Sequence, residues 1–162
     1  MMDNRILKIR QTLNQKNLQP IAIMSYSAKF ASNLYGPFRS ACKSGVAKSI
    51  SSTKNSEICN KIVLKNRKTY QLPSMATNLA LKASKRDELE GADFLIVKPA
   101  MFYLDIISAV SKNVLVPVAA YQVSGEYVML FETEKRFENF EIILESLHSI
   151  KRAGGFKFDL SL

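Results

Sequence analysis

GADFLIVKP (91–99) sets four consecutive apolar residues, Phe94 to Val97, between a glycine and a lysine–proline pair. A run this short, with no polar residue alternating through it, fits a strand buried on both faces. Such strands build parallel sheets whose faces are covered by helices. The flanking segments carry the helical period instead. Residues 74–90 place Leu79, Leu81 and Leu89 among Lys82, Lys85, Arg86 and Glu88, and Gly91 stands where a helix C-terminal stop is expected. YLDIISAVSK (103–112) is helical again.

The same unit recurs on both sides. Toward the N-terminus, residues 4–16 form an amphipathic helix with Ile6, Leu7, Ile9 and Leu13 at helical spacing, and Pro20 follows it. Ile21-Ala22-Ile23-Met24 then reads as a buried strand that ends in the polar stretch Ser25-Tyr26-Ser27-Ala28-Lys29. Toward the C-terminus, VLVPVAAYQV (114–123) predicts a third buried strand, and Gly125 opens a helical region through Phe131. Residues 137–152 predict a long amphipathic helix with Ile142, Ile143, Leu147 and Ile150 inward. Gly154-Gly155 ends it, and Phe156 to Leu162 reads as a last, poor strand. Residues 40–66, rich in Ser, Lys and Asn, predict a long loop or lid. Alternation of this kind predicts an α/β fold with a parallel sheet and helical crossovers. A doubly wound sheet and a piece of a (β/α)8 barrel both fit the pattern.

The 162 residues suit one domain and fall short of the roughly 250 of a closed (β/α)8 barrel. The formal charge is +9, from 23 Lys+Arg against 14 Asp+Glu. A balance of this sign attracts nucleic acid, membrane surfaces or acidic small molecules when it is concentrated. Here the basic residues are spread along the chain, as a solvated surface would have them, and only Lys61, Lys65, Arg67 and Lys68 are dense enough for an anion site. Cys42 and Cys59 are the only cysteines and His148 the only histidine. No disulfide framework, His-based metal site, structural zinc site or Ser-His-Asp triad is therefore expected. Met1-Met2-Asp3-Asn4 is too polar to open a signal peptide, and no apolar run approaches the ~20 residues of a membrane span. The expectation is a reduced, soluble, cytoplasmic protein.

Polar residues follow the apolar part of each strand: Lys29 after the first, Lys98 after the second, Tyr121 and Ser124 after the third. Sites on α/β folds gather at these C-terminal strand ends. A lysine that ends an apolar strand is costly to bury while charged. Burial or a neighbouring cation lowers its pKa and frees a nucleophilic amine. Two such lysines on adjacent strands suit Schiff-base chemistry on a carbonyl substrate. The plainer alternative is that each lysine extends its ammonium to solvent.

IAIMSYSAKFASNLYGPFRSA (21–41) and GADFLIVKPAMFYLDII (91–107) each resemble a segment of the porphobilinogen synthase (5-aminolevulinate dehydratase) family that holds a Schiff-base lysine. NRKTYQLP (66–73) resembles the end of that family's active-site lid. PVAAYQVSGEYVML (117–130), LESLHSIKRAG (144–154) and MMDNRILKIRQTL (1–13) match in the family's order. The resemblance implies the C-terminal half of a TIM (β/α)8 barrel: one partial barrel domain over residues 1–162, about four parallel strands, and a lid loop at about 40–70. It implies a hydro-lyase that condenses two 5-aminolevulinate molecules to porphobilinogen, with loss of water, in tetrapyrrole and heme biosynthesis. Lys98 would hold the substrate that gives the propionyl side, and Lys29 the one that gives the acetyl side. Arg39 and Arg67, with Gln71, would grip one substrate carboxylate. Tyr121 and Ser124 would hold the other. Tyr35 and Phe38 would line the pocket.

The resemblance also sets limits. Family members are about twice as long, and the half that binds catalytic zinc or magnesium in metal-dependent members has no counterpart here. No cofactor is therefore expected on this half. Ala83 stands where many bacterial relatives carry a glutamate for an allosteric magnesium, so no such site is expected. The family's C-terminal substrate tyrosine and last helix also lack counterparts, and the lid carries extra sequence. Three functions follow: an enzyme subunit working with a separately encoded N-terminal half, an inactive remnant, or a basic binding module that uses the Lys-rich lid. The family forms homo-oligomers, octamers among them. Neither a membrane nor a nucleic-acid partner is expected.

Overall fold

A computed structural model describes residues 3–36 and 67–157. Helix α1 (Arg5–Gln15) leads to strand β1 (Met24–Lys29) and a 3-10 turn (Asn33–Tyr35). A second 3-10 turn (Arg67–Thr69) precedes α2 (Thr77–Leu89) and β2 (Phe94–Lys98). A third (Met101–Tyr103) runs into α3 (Leu104–Ser111). Then come β3 (Val118–Ala120), α4 (Ser124–Phe137), α5 (Glu141–Arg152) and the two-residue β4 (Phe156–Lys157). The four strands pair in sequential order, β1-β2-β3-β4, and every pairing is parallel. This is the α/β fold expected, wound in one direction with no reversal of strand order. The lid expected at about 40–70 lies outside the described residues, apart from its last few.

The first strand is displaced from its expected position. Ile21 and Ala22 are exposed and outside the sheet, and the strand is the polar stretch Met24–Lys29. Ser25 and Ser27 are buried within it, while Met24 and Tyr26 are exposed. The cause is a satisfied hydroxyl: Ser25 Oγ donates to Asp87 Oδ2 of α2 at 2.6 Å, so a polar residue is tolerated under the helix layer. Between Ser25 and Ala28 the register with β2 shifts by one residue, a β-bulge, and the shifted register holds at Ala28↔Val97 and Lys29↔Lys98.

The third strand is shorter than expected. Leu115 is fully exposed, and the Leu115 and Val116 N–H groups donate to Glu88 Oε1 at 2.6 and 3.2 Å, not to a neighbouring strand. The helix expected from Gly125 through Phe131 instead runs to Phe137, and the last helix starts at Glu141 rather than 137.

One face of the sheet is packed. Leu95, Val97, Ala28, Val118 and Ala120 meet Ile106, Ile107 and Val110 of α3, Ala80 of α2 and Ile150 of α5. Side chains alternate along a strand, so Phe94, Ile96 and Lys98 of β2 point to the other face. Gly91 (φ 99°) and Gly154 (φ 95°) close α2 and α5 in the left-handed region, where a side chain would be strained.

Helix α1 has no buried residue and is held by polar contacts. Arg10 donates to Gly91 O at 2.8 Å (Nη2) and 3.1 Å (Nε), and to Asp93 Oδ2 at 2.5 Å. Glu90 accepts from the Asn4 and Leu7 N–H groups at the helix N-terminus, where a carboxylate meets unpaired donors. Asp93 also accepts from the Ile23 N–H at 2.6 Å. That bond, with the hydrogen bond and charge of Arg10, holds the Asp93 carboxyl below its ordinary 3.8 against a smaller opposing effect of burial. A depressed carboxylate stabilises the fold fully above its unfolded pKa and loses that contribution as pH falls through the folded one. Asp93→Asn is accordingly expected to narrow the stability difference between pH 6 and pH 3, as read by urea unfolding at the two values.

Candidate active site

Lys29 and Lys98 are the last residues of β1 and β2 and stand in register as neighbours. Two causes bring them together. Parallel pairing aligns the C-terminal ends of the strands, and the one-residue shift at the bulge sets Lys29, rather than Ala28, opposite Lys98. Beyond the lysines the backbone remains tied. Phe30 N–H donates to Lys98 O at 2.8 Å, Leu72 N–H donates to Lys29 O at 2.9 Å, and Ala31 N–H donates to Leu72 O at 2.8 Å. The Lys98–Pro99 peptide is cis.

Three tyrosines surround the Lys98 amine. Its Nζ lies 3.5 Å from the ring centroid of Tyr121, 5.5 Å from that of Tyr26 and 5.8 Å from that of Tyr35. The Lys29 Nζ lies 5.4 Å from the Tyr26 ring, so both amines share one aromatic neighbour. Burial, and next the positive charge of Lys29, push the Lys98 pKa down from 10.5 to about 8, against an opposing pull from Glu126. At pH 7 about a tenth of such an amine is neutral, far more than of an ordinary lysine. A neutral amine held against aromatic rings can add to a carbonyl. Tyr26 is itself pushed up, by burial and then by Tyr121.

The other sequence-predicted residues divide into three groups. Tyr121 and Tyr35 reach Lys98, and the Tyr35 hydroxyl donates to Phe30 O at 3.0 Å, which pins its ring. Gln71 is buried beside β1, where it lines a cavity of about 290 Å³ with Ser25, Tyr26, Ser27 and Lys29. Among the described residues neither its amide oxygen nor its amide nitrogen has a hydrogen-bond partner, which leaves a polar group to be satisfied there. Ser124 opens α4, three residues past Tyr121. Arg67 starts the second 3-10 turn. Phe38 and Arg39 lie outside the described residues.

Two residues near the lysines were not singled out by sequence. Tyr26 is hidden when the strand is taken to end at Met24. Glu126 is fully buried, and its carboxylate accepts from the N–H groups of Ala100 (3.0 Å), Met101 (2.5 Å) and Val123 (2.6 Å). A Glu at the third helical position that reaches back to the residue before the helix is half of a capping box. The signal was obscured because Val123, not Ser or Thr, precedes the helix.

Among the described residues no three His, Cys, Asp or Glu side chains converge as a metal site would require, and no helix is long and apolar enough to cross a membrane.

The family model for delta-aminolevulinic acid dehydratase matches residues 1–157. The delta-aminolevulinic acid dehydratase of Dictyostelium discoideum is 42% identical over 157 residues, which cover 95% of this chain and 42% of that protein. The Escherichia coli K12 enzyme is 41% identical over 155 residues, covering 94% and 43%. A crystal structure of the Toxoplasma gondii ME49 enzyme, also called porphobilinogen synthase and solved with its reaction product porphobilinogen, superposes with a TM-score of 0.78 at 35% identity, over 96% of this chain and 40% of that one. The chain thus spans about two fifths of the length of these relatives. By family model, sequence and fold alike, it belongs to the delta-aminolevulinic acid dehydratase family.

Proposed function

We propose that this chain carries the paired Schiff-base lysines of a porphobilinogen synthase and binds 5-aminolevulinate through them. The observation that supports the reading is the registered pair Lys29 and Lys98 at neighbouring strand ends, with the Lys98 amine lowered to about 8 and seated on Tyr121. The neutral amine adds to the substrate ketone and water leaves as the imine forms. Lys98 takes the propionyl-side substrate and Lys29 the acetyl-side one. Arg39, Arg67 and Gln71 hold one carboxylate, a task suited to the guanidinium fork. Tyr121 and Ser124 hold the other, and Tyr35 and Phe38 line the pocket. The Gln71 amide, unpaired among the described residues, supports a polar ligand on the β1 side.

In this reading the four sequential parallel strands are the C-terminal half of an eight-stranded barrel, in a single domain over 1–162 with residues 40–70 as its lid. Condensation then draws on a separately encoded N-terminal half, which also supplies any zinc or magnesium ligands. Homo-oligomer formation follows the family, and a cytoplasmic location belongs to the same proposal. A second reading, an inactive remnant of that enzyme, is the one left if neither amine reacts.

Borohydride reduction in the presence of 5-aminolevulinate, followed by peptide mass mapping, separates the two. The expected result is a secondary-amine adduct on Lys98, formed faster as pH rises toward 8. Absence of an adduct on either lysine, with a complementing N-terminal half present, would leave the remnant.

A further inference from the structure

We infer that Glu126 is a positioning residue, one whose buried carboxylate clamps the backbone beyond Lys98 to the β3–α4 turn and so seats the Lys98 amine on Tyr121. The inference rests on the reading of Lys98 as the reactive amine. Three observations carry it.

The carboxylate has no exposed surface and lies under the site rather than in it. Its oxygens accept from two chain segments at once. Ala100 and Met101 are two and three residues past Lys98, and Val123 is two past Tyr121. A single side chain therefore fixes both the strand end that bears the amine and the turn that bears its aromatic seat. All three partners are N–H donors, so the group is used as an acceptor, which is the work of the ionised form. Burial raises its pKa, and these N–H bonds and Lys98 oppose that rise. Finally, Gly125 brings α4 close to the first 3-10 turn. A Cβ there would stand 2.5 Å from Leu34 O, so only glycine allows the residue before Glu126 to pack this closely against the turn. Tyr35, on that same 3-10 turn, also faces Lys98.

The groups facing the Lys98 amine are Lys29 and Tyr26 from β1, Tyr35 from the 3-10 turn, Tyr121 after β3 and Glu126 from α4. Of these, Glu126 pulls the Lys98 pKa up and Lys29 pulls it down. Glu126→Gln keeps the side chain's size and one acceptor oxygen but removes the charge and presents an amide to N–H donors. The test is competitive acetylation of lysines across pH 6 to 11, read by peptide mass spectrometry, on the wild-type chain and on Glu126→Gln. It needs no 5-aminolevulinate, so it decides the role of Glu126 even where no Schiff base is trapped.

The expected result is a Lys98 titration midpoint lowered by about half a unit or more in the variant, with a native circular dichroism spectrum. A folded variant whose Lys98 titrates as in the wild type would overturn the inference and leave Glu126 a structural group alone. Should the variant not fold, amide hydrogen exchange on the wild type decides. The N–H groups of Ala100, Met101 and Val123 are expected to exchange at least tenfold slower than that of the exposed Phe140. Equal rates would overturn the clamp.

Discussion

Lys98→Met is expected to abolish borohydride trapping at β2 while raising the thermal stability of the chain below pH 8. The two effects share one cause. Lys98 is held in a site that disfavours its charge, through burial first and Lys29 second, with a folded pKa near 8 against an ordinary 10.5. The unfolded chain therefore binds the Lys98 proton more tightly than the folded chain does. Where the folded pKa lies below the unfolded one, the protonated group opposes folding in full below the folded value. The opposition fades as pH rises from about 8 to 10.5. Methionine is of similar length, carries no charge and adapts to irregular apolar space. The gain at pH 7, discounted for the amine's contact with solvent, is about 1 kcal/mol, or about 2–4 °C in midpoint for a chain of this size. Thermal unfolding at pH 7 and pH 10.5 checks it: the advantage of the variant is expected to shrink at the higher pH. An equal advantage at both values would assign it to packing instead. Loss of trapping with a gain in stability is the pattern expected where a charge is held in a site that disfavours it.

The largest loss of stability is expected at Phe30. Its side chain is fully buried, directly after β1, and stacks on Tyr103 with ring centroids 4.3 Å apart at 25°. Its backbone N–H binds Lys98 O, and its carbonyl accepts from the Tyr35 hydroxyl. Phe30→Ala removes the ring and leaves a void beside Tyr103, a change that costs about 3–5 kcal/mol in a packed core, with the aromatic pair contributing part of it. Native domains are stable by only about 5–15 kcal/mol, so the variant is expected to be near its unfolding threshold. Urea unfolding checks this, with the midpoint falling and the slope unchanged. A shift of less than about 1 kcal/mol would mean that Tyr103 and α3 collapse into the space.

The strand GADFLIVKP shows why so much of the middle of the chain was legible. Leu95, Ile96 and Val97 are all buried in the central strand β2, and that requirement is visible in the apolar run itself. The stop at Gly91 was equally legible, since its positive φ favours glycine. The first strand was not, because Ser25 is buried through a hydroxyl bond to Asp87, 62 positions away. Composition reports polarity but not whether a partner at that distance satisfies it. Glu126 was missed for a related reason. Its three donors come from two segments that are neighbours only once β2 and β3 have paired.

The sequence by itself determined the α/β class, the parallel alternation, the family and the candidacy of Lys29 and Lys98, because local period, glycine stops and long ordered motifs are properties of neighbouring residues. Only the tertiary structure decided that the strands run in sequential order, that a bulge brings the two lysines into register, and that Lys98 sits on Tyr121 beside Tyr26 with its pKa lowered. Register, burial and the field of a second cation depend on residues far apart in the chain, and no local pattern contains them.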